Sequence, residues 1–362
     1  MKRKTLYGII KLLPELFCVI TASCALLMFP DTAADGVRAG LRLSADTVIP
    51  SLFPFLVLSS FAASSPLLSR AGRAATPVTR ALFNLPGEAL TAVFLGLTAG
   101  YPIGAKTASE LYCSGKITRP EAERTMLFSL NGGAAFIITA VGRAMLGSAA
   151  AGVILYASVT AGTLILGFLL RFFDDTRACA PPRVNAPSAS PVSVSERLVL
   201  SVNSGSRAML SVVSWVVGFS CIGALIGKSI TSSYSGIILM GLLEVTTGTA
   251  AAAGVLPLGA IAAFLSFGGF SVICQVMPYM NSCGVSLKKV LTARIIAASF
   301  SSFICTRLCV VFPQALKTGG FPAAPTPELS AAIPASLALI VLCVIFIVDF
   351  EAKRLEVKKK MC

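Results

Sequence analysis

Two charges, Lys106 and Glu244, lie inside long apolar runs, each beside a break in its run, and Glu244 is the only charge in its own. The first break reads Gly100-Tyr101-Pro102-Ile103-Gly104 and the second Glu244-Val245-Thr246-Thr247-Gly248. Gly100 and Gly104 allow tight backbone, Tyr101 offers a ring and a hydroxyl, and Pro102 frees carbonyls by blocking helix continuation. A half-helix starting at such a break points its positive end into it, which favours an anionic group. An ionisable side chain at bilayer depth costs on the order of 3 kcal/mol on insertion scales, so it needs a partner or a task. Lys106 either serves an anion at the break or pairs with Glu110 one helical turn on. Glu244 has three readings: a proton acceptor, a hydrogen-bond partner for a solute, or the counter-charge of Lys106. Asn131 and Gln275 are uncharged polar residues in the apolar segments that follow the breaks, placed either to line a site or to join helices. Thr246 and Thr247 either line it too or bond back to their own helix.

Other chemistries lack their usual parts. The chain has no histidine, and its eleven cysteines show no CxxC spacing, which removes the common metal and thiol–disulfide arrangements. Ser-His and Cys-His catalysis is excluded with the histidine, and no glycine-rich loop is suited to cradling phosphate. The expectation is no catalytic residue, no metal and no cofactor. Cys305 and Cys309, one turn apart, read as packing. A net charge of +14 raises nucleic acid as a partner. The Lys and Arg flank apolar runs, however, as juxtamembrane residues do, so lipid is the expected partner and nucleic acid is not.

The elements that must hold these residues follow from composition. Of 362 residues 55% are hydrophobic and 13% charged, against roughly a quarter charged in a globular domain. Met209–Gly227 and Leu258–Met280 contain no charge at all, and a bilayer core needs about 20 apolar residues per helical span. The pattern predicts an all-α membrane protein with about eight transmembrane helices and two re-entrant hairpins in an inverted repeat. Residues 1–47 form an N-terminal span and an interfacial helix (Asp31–Asp46); a cleaved leader is the competing reading of the basic start, interrupted by Pro14 and Glu15. Residues 48–172 form a first repeat with its hairpin at 89–113. Residues 173–208 are a Pro- and Ser-rich linker followed by an amphipathic helix. Residues 209–312 form a second repeat with its hairpin at 236–256. Residues 313–362 hold a last span (Leu329–Val348) and a basic tail.

Charge favours hairpins over crossings at the two breaks. With hairpins, 23 of the 30 Lys and Arg face the cytoplasm, six face the other side (Arg38, Arg42, Arg143, Lys228, Arg307 and Lys317), and Lys106 is intramembrane. If each broken segment crossed once, the division would fall to 17 against 12, a weaker positive-inside bias. Span, hairpin, span, span then occurs twice, entering from opposite faces, with Ser129-Leu130-Asn131-Gly132-Gly133 echoed by Leu265-Ser266-Phe267-Gly268-Gly269. Interrupted segments at corresponding places in two inverted halves mark the site of a secondary transporter.

Three motifs carry a family resemblance. They are Ile49-Pro50-Ser51-Leu52-Phe53-Pro54-Phe55, the run from Gly96 through Gly100-Tyr101-Pro102-Ile103-Gly104-Ala105-Lys106, and Asn131-Gly132-Gly133 with Phe136-Ile137-Ile138 and Val141-Gly142. Across about Leu6 to Phe312 the chain resembles the YlbJ-type sporulation integral membrane proteins, within the group that carries the nucleoside-recognition gate domain. Where that family has an Asn-x-Ser-Gly-Pro type of sequence, this chain has Asn131-Gly132-Gly133-Ala134-Ala135, so no role for Asn131 carries over. The resemblance implies endospore formation, the outer forespore membrane, movement of dipicolinic acid from mother cell to forespore, and other sporulation membrane proteins as partners. A small planar dianion would suit a helix N-terminus, Lys106 and Tyr101. The residues alone leave two further readings open: a carrier of nucleosides or other neutral solutes, and a non-transporting membrane partner.

Overall fold

A computed structural model describes residues 16–64, 66–173, 194–227 and 233–313. Among these the protein is helical, without strands. The stretch before Leu16, most of the Pro/Ser linker, Lys228, the span expected at Leu329–Val348 and the basic tail lie outside the described residues.

After a short apolar helix, α1 (Leu16–Met28), come α2 (Pro30–Leu43), a π-helical turn (Ser44–Val48) and α3 (Ile49–Ala63). The last three form one rod, Pro30–Ala62, long and apolar enough to cross a membrane. The expected division into an interfacial helix and a separate span is corrected here. Ala33, Gly36, Gly40, Ser44 and Val48 are buried along one face, while Asp35 and Arg38 pair on the exposed side at 2.9 Å. The small-residue face lies flush on α10 (Val194–Ile226). A Cβ added to Gly36 would stand 2.7 Å from that of Ala224, and one on Gly40 2.8 Å from the Cα of Val217. Gly205 meets Val57 at the other end, so the two rods run antiparallel. The amphipathic segment and the span expected separately within 196–227 are likewise one helix. Small residues permit this close approach.

Short helices α4 (Pro66–Ala74) and α5 (Thr76–Phe83) lead to the first broken run. Its halves, α6 (Ala89–Ala99) and α7 (Tyr101–Cys113), meet at Gly100, where φ is +103°. They fold back on each other: a Cβ on Gly104 would lie 2.9 Å from the Cα of Gly96. The second run does the same between α11 (Tyr234–Leu243) and α12 (Val245–Ala252), with a Cβ on Gly248 falling 2.2 Å from the Cα of Gly241. At 1.5 Å per residue each half is about 12–20 Å long, well short of the ~30 Å hydrocarbon core.

A broken helix follows each hairpin. In the first half α8 (Arg119–Ser129) starts from a Thr118/Glu121 capping box, unwinds after Ser129 and resumes as a π-helical segment, Ala135–Met145. In the second, α13 (Leu258–Phe267) stops at Gly268 (φ +85°) and α14 (Gly269–Cys283) continues. The unwinding makes room for the hairpin tips: a Cβ on Gly133 would stand 2.8 Å from the carbonyl carbon of Ala99, and one on Gly269 3.0 Å from the Leu243 oxygen. The Gly-Gly echo in the sequence thus does the same work in both halves. Closing helices α9 (Ala149–Leu170) and α15 (Leu287–Val311) complete the plan and pack together at Gly162 and Ser301. Among the described residues, five helical stretches have the length and hydropathy of spans: 30–62, 149–173, 196–226, 258–283 and 287–311.

Candidate functional site

The two hairpin tips meet. Gly100, Tyr101 and Pro102 of the first and Glu244 and Thr246 of the second line one inner cavity of ≈ 40 Å³, with Gln275 from α14. Leu52, Leu56 and Val212 of the two rods close it. Glu244 is 2% exposed and caps α12: Oε1 accepts the Thr246 N–H at 2.9 Å and Oε2 the Thr247 N–H at 2.6 Å. Both threonines give Glu244 their N–H groups, and the Thr247 hydroxyl bonds back to the Glu244 carbonyl at 3.5 Å. The first tip has the opposite character. Helix α7 begins at a glycine and carries no side-chain cap, so its positive end faces the cavity without an acid. The Tyr101 hydroxyl donates to the carbonyl of Leu265, tying this tip to the end of α13.

Lys106 is elsewhere. It lies six residues along α7 from Gly100, about 9 Å of helix rise, and its Nζ donates to Ser204 Oγ at 2.7 Å while standing 3.8 Å from Glu110. The pairing with Glu244 and the single pocket shared by both charges are corrected: each lines its own cavity. That of Lys106 is the outer one, ≈ 390 Å³, bounded by Asn203, Ser204 and Arg207 of α10 and by Gln275 and Tyr279 of α14. Pro102 and Gln275 border both cavities, which makes them the partition.

Three expected residues face neither cavity. Gly104 packs on Gly96 and the Ser129 carbonyl. Asn131 is wholly buried, its Oδ1 accepting from the Thr163 hydroxyl at 3.3 Å, and its Nδ2 has no partner. Thr247 supplies its N–H to Glu244. Two arginines had no place in the sequence reading of the site. Arg207 faces the outer cavity. Arg294 falls by sequence among the 23 Lys and Arg assigned to the cytoplasmic side, but it is 1% exposed. Its Nη1 donates to the carbonyls of Leu130 and, at 3.3 Å, Ser266; its Nη2 donates to that of Leu127 at 2.5 Å. The available signal was its position, seven residues inside an apolar helix that starts at Leu287.

Broken helices meeting around a buried cavity, inside a set of apolar helices, mark an integral membrane protein. Residues 45–149, from the first rod through the π-helical segment, match the Gate family, described as nucleoside recognition. Over 330 residues, 80% of this chain and 80% of the relative, the sequence is 24% identical to the sporulation integral membrane protein YlbJ of Bacillus subtilis (strain 168). These matches support a YlbJ-type protein, as the motifs around Pro50, Tyr101 and Asn131 implied. No solved structure matches the chain.

Proposed function

We propose that this protein carries a small anionic solute across a membrane during endospore formation, the solute being dipicolinic acid passing from mother cell to forespore and the membrane the outer forespore membrane. The observation that carries the reading is the unequal pair of helix ends at the inner cavity. Gly100 and Glu244 hold corresponding places in the two halves. At one, a resident carboxylate fills the start of α12; at the other, glycine leaves the start of α7 bare. A solute carboxylate at Gly100 would balance the positive end of α7 as Glu244 balances that of α12. It would act through the helix end rather than through a matching pair of N–H bonds, because Pro102 has no N–H and that of Ile103 donates to the Gly100 carbonyl. Tyr101, Pro102, Thr246 and Gln275 complete that site.

The outer cavity is the approach to it. Lys106 and Arg207 give it a positive potential that raises the local concentration of anions. Its ≈ 390 Å³ accepts a small planar dianion, whereas the inner ≈ 40 Å³ does so only after the tips part. The hairpins would be re-entrant, dipping from opposite faces, which is the arrangement the charge distribution favours. Gly104, Asn131 and Thr247 would support the tips from behind.

The Gate description favours a second reading, a nucleoside carrier in which Gln275 and Asn203 bond a neutral solute. Uptake by proteoliposomes containing the full chain separates the two. Labelled dipicolinate should accumulate, with K106A and E244Q slower than wild type by about tenfold, the effect of losing ~1.4 kcal/mol. Uptake of labelled nucleoside without dipicolinate would establish the second reading. Uptake of neither would overturn both, and unimpaired K106A and E244Q would overturn the site.

A further inference from the structure

We infer that Arg294 occupies, as a cation tethered to the chain, the place that a coupling metal ion takes where broken helices cross, and that the solute therefore moves without sodium. The inference rests on the carrier reading for its transport arm and on the geometry for the rest.

Arg294 is the largest of the fully buried side chains. Among the described residues no carboxylate pairs with it. Its acceptors are the carbonyls of Leu127 and Leu130, at and just past the end of α8, and of Ser266 in the last turn of α13. These are groups a helix leaves unbonded at its C-terminus. Each helix end carries about half a negative charge, so two ends converging on one point present about one unit, which a guanidinium balances. Leu130 and Ser266 hold the same position of the Gly-Gly echo, so the arginine from α15 joins the equivalent helix ends of both halves. An isolated buried charge would otherwise cost several kcal/mol.

In transporters built from inverted repeats, unwound carbonyls and half-helix C-termini are the ligands that hold a coupling sodium ion. Here they face N–H donors of a resident cation. A second cation a few ångströms away would meet both engaged ligands and like-charge repulsion. The Tyr101 hydroxyl is bonded to Leu265 and Glu244 to its own helix, while the Ser129 and Ser266 hydroxyls beside the acceptor carbonyls are buried without a partner among the described residues. A purely structural bolt would contribute stability but leave ion preference open; the tethered-cation role specifies it.

Two measurements on the full chain test this. Thermal unfolding of the detergent-solubilised protein in sodium chloride and in choline chloride at equal ionic strength does not require any solute to move. Wild type and R294K should unfold at the same temperature in both salts, and R294A, with the carbonyls vacated, should gain a sodium-specific rise of about 1–2 °C, the shift of ~1 kcal/mol in a protein of this size. In proteoliposomes, dipicolinate uptake by wild type should be equal in sodium, potassium and choline media, and R294A should lose about tenfold. A sodium-specific stabilisation of wild type, a tenfold fall of its uptake in choline, or full uptake by R294A would overturn the inference. If R294A does not fold, the wild-type ion series decides alone. Absence of uptake in every medium would sink the carrier reading while the unfolding comparison still judges Arg294.

Discussion

Glu244 accepts two main-chain N–H groups at a buried helix start, and those bonds set what its replacement should do. Alanine leaves both donors without partners, costing about 1–3 kcal/mol each when buried and unsatisfied. Glutamine keeps one acceptor and fills the same volume. Thermal unfolding should therefore rank wild type above E244Q and E244Q above E244A, the alanine variant lowest by several degrees; an alanine variant as stable as glutamine would mean that the cap contributes nothing. Much of this residue's setting was legible beforehand. Gly100, Tyr101, Pro102, Glu244, Thr246 and Gln275 converge on one cavity because breaks in apolar helices must be buried in protein or line a wet space. Lys106 was drawn to the same point by its charge, but helix rise carries it past the partition. Arg294 stayed hidden for a different reason. Its partners lie 164, 28 and 167 residues away, and a lone arginine near a helix start is read by composition as a surface marker.

At the scale of elements, glycines decide where helices can touch. Gly248→Leu forces a side chain into the backbone of Gly241, where even a Cβ would stand at 2.2 Å. Overpacking of this kind costs about 1–3 kcal/mol or more, and the second hairpin should open, with loss of both folded yield and uptake. Gly218→Ala is the control: a Cβ there meets nothing within 4 Å, and exchange of glycine for alanine inside α10 should hold or raise the unfolding temperature by up to ~1 kcal/mol in helix propensity. If both variants behave alike, the close approach at Gly248 has no energetic weight. The hairpins were readable from Gly100, Pro102 and Gly248. The two long rods were not, since Asp31, Asp35, Arg38 and Arg42 look interfacial until Gly36 and Gly40 are seen to seat the helix on α10. Nor was the unwinding at Gly133 and Gly269, because it answers to contacts with Ala99 and Leu243 that only the folded chain supplies.

For the molecule as a whole, sidedness is the open quantity with the sharpest test. Single cysteines introduced at Glu88 and Ser114 of a cysteine-free variant should label from one face, and those at Ser233 and Gly254 from the other, since re-entrant segments return to the side they left. Labelling of Glu88 and Ser114 from opposite faces would make the first broken run a crossing and dissolve the inverted repeat.

The placement of the two cavities has a mechanical consequence. Each hairpin is keyed into its neighbour by backbone-to-backbone contact, and Tyr101 and Arg294 lace the halves to one another. The rods are bound along their length by glycine seats of their own. Both cavities fall on the seam between these two bodies, with Leu52, Leu56 and Val212 on one bank of the inner space, Ser204 and Arg207 on the same bank of the outer, and the hairpin tips opposite. Compliance therefore concentrates at that seam. If the protein carries a solute as proposed, its passage would be met by the keyed centre sliding bodily along the rods, like a bolt in its housing, rather than by loops that flap.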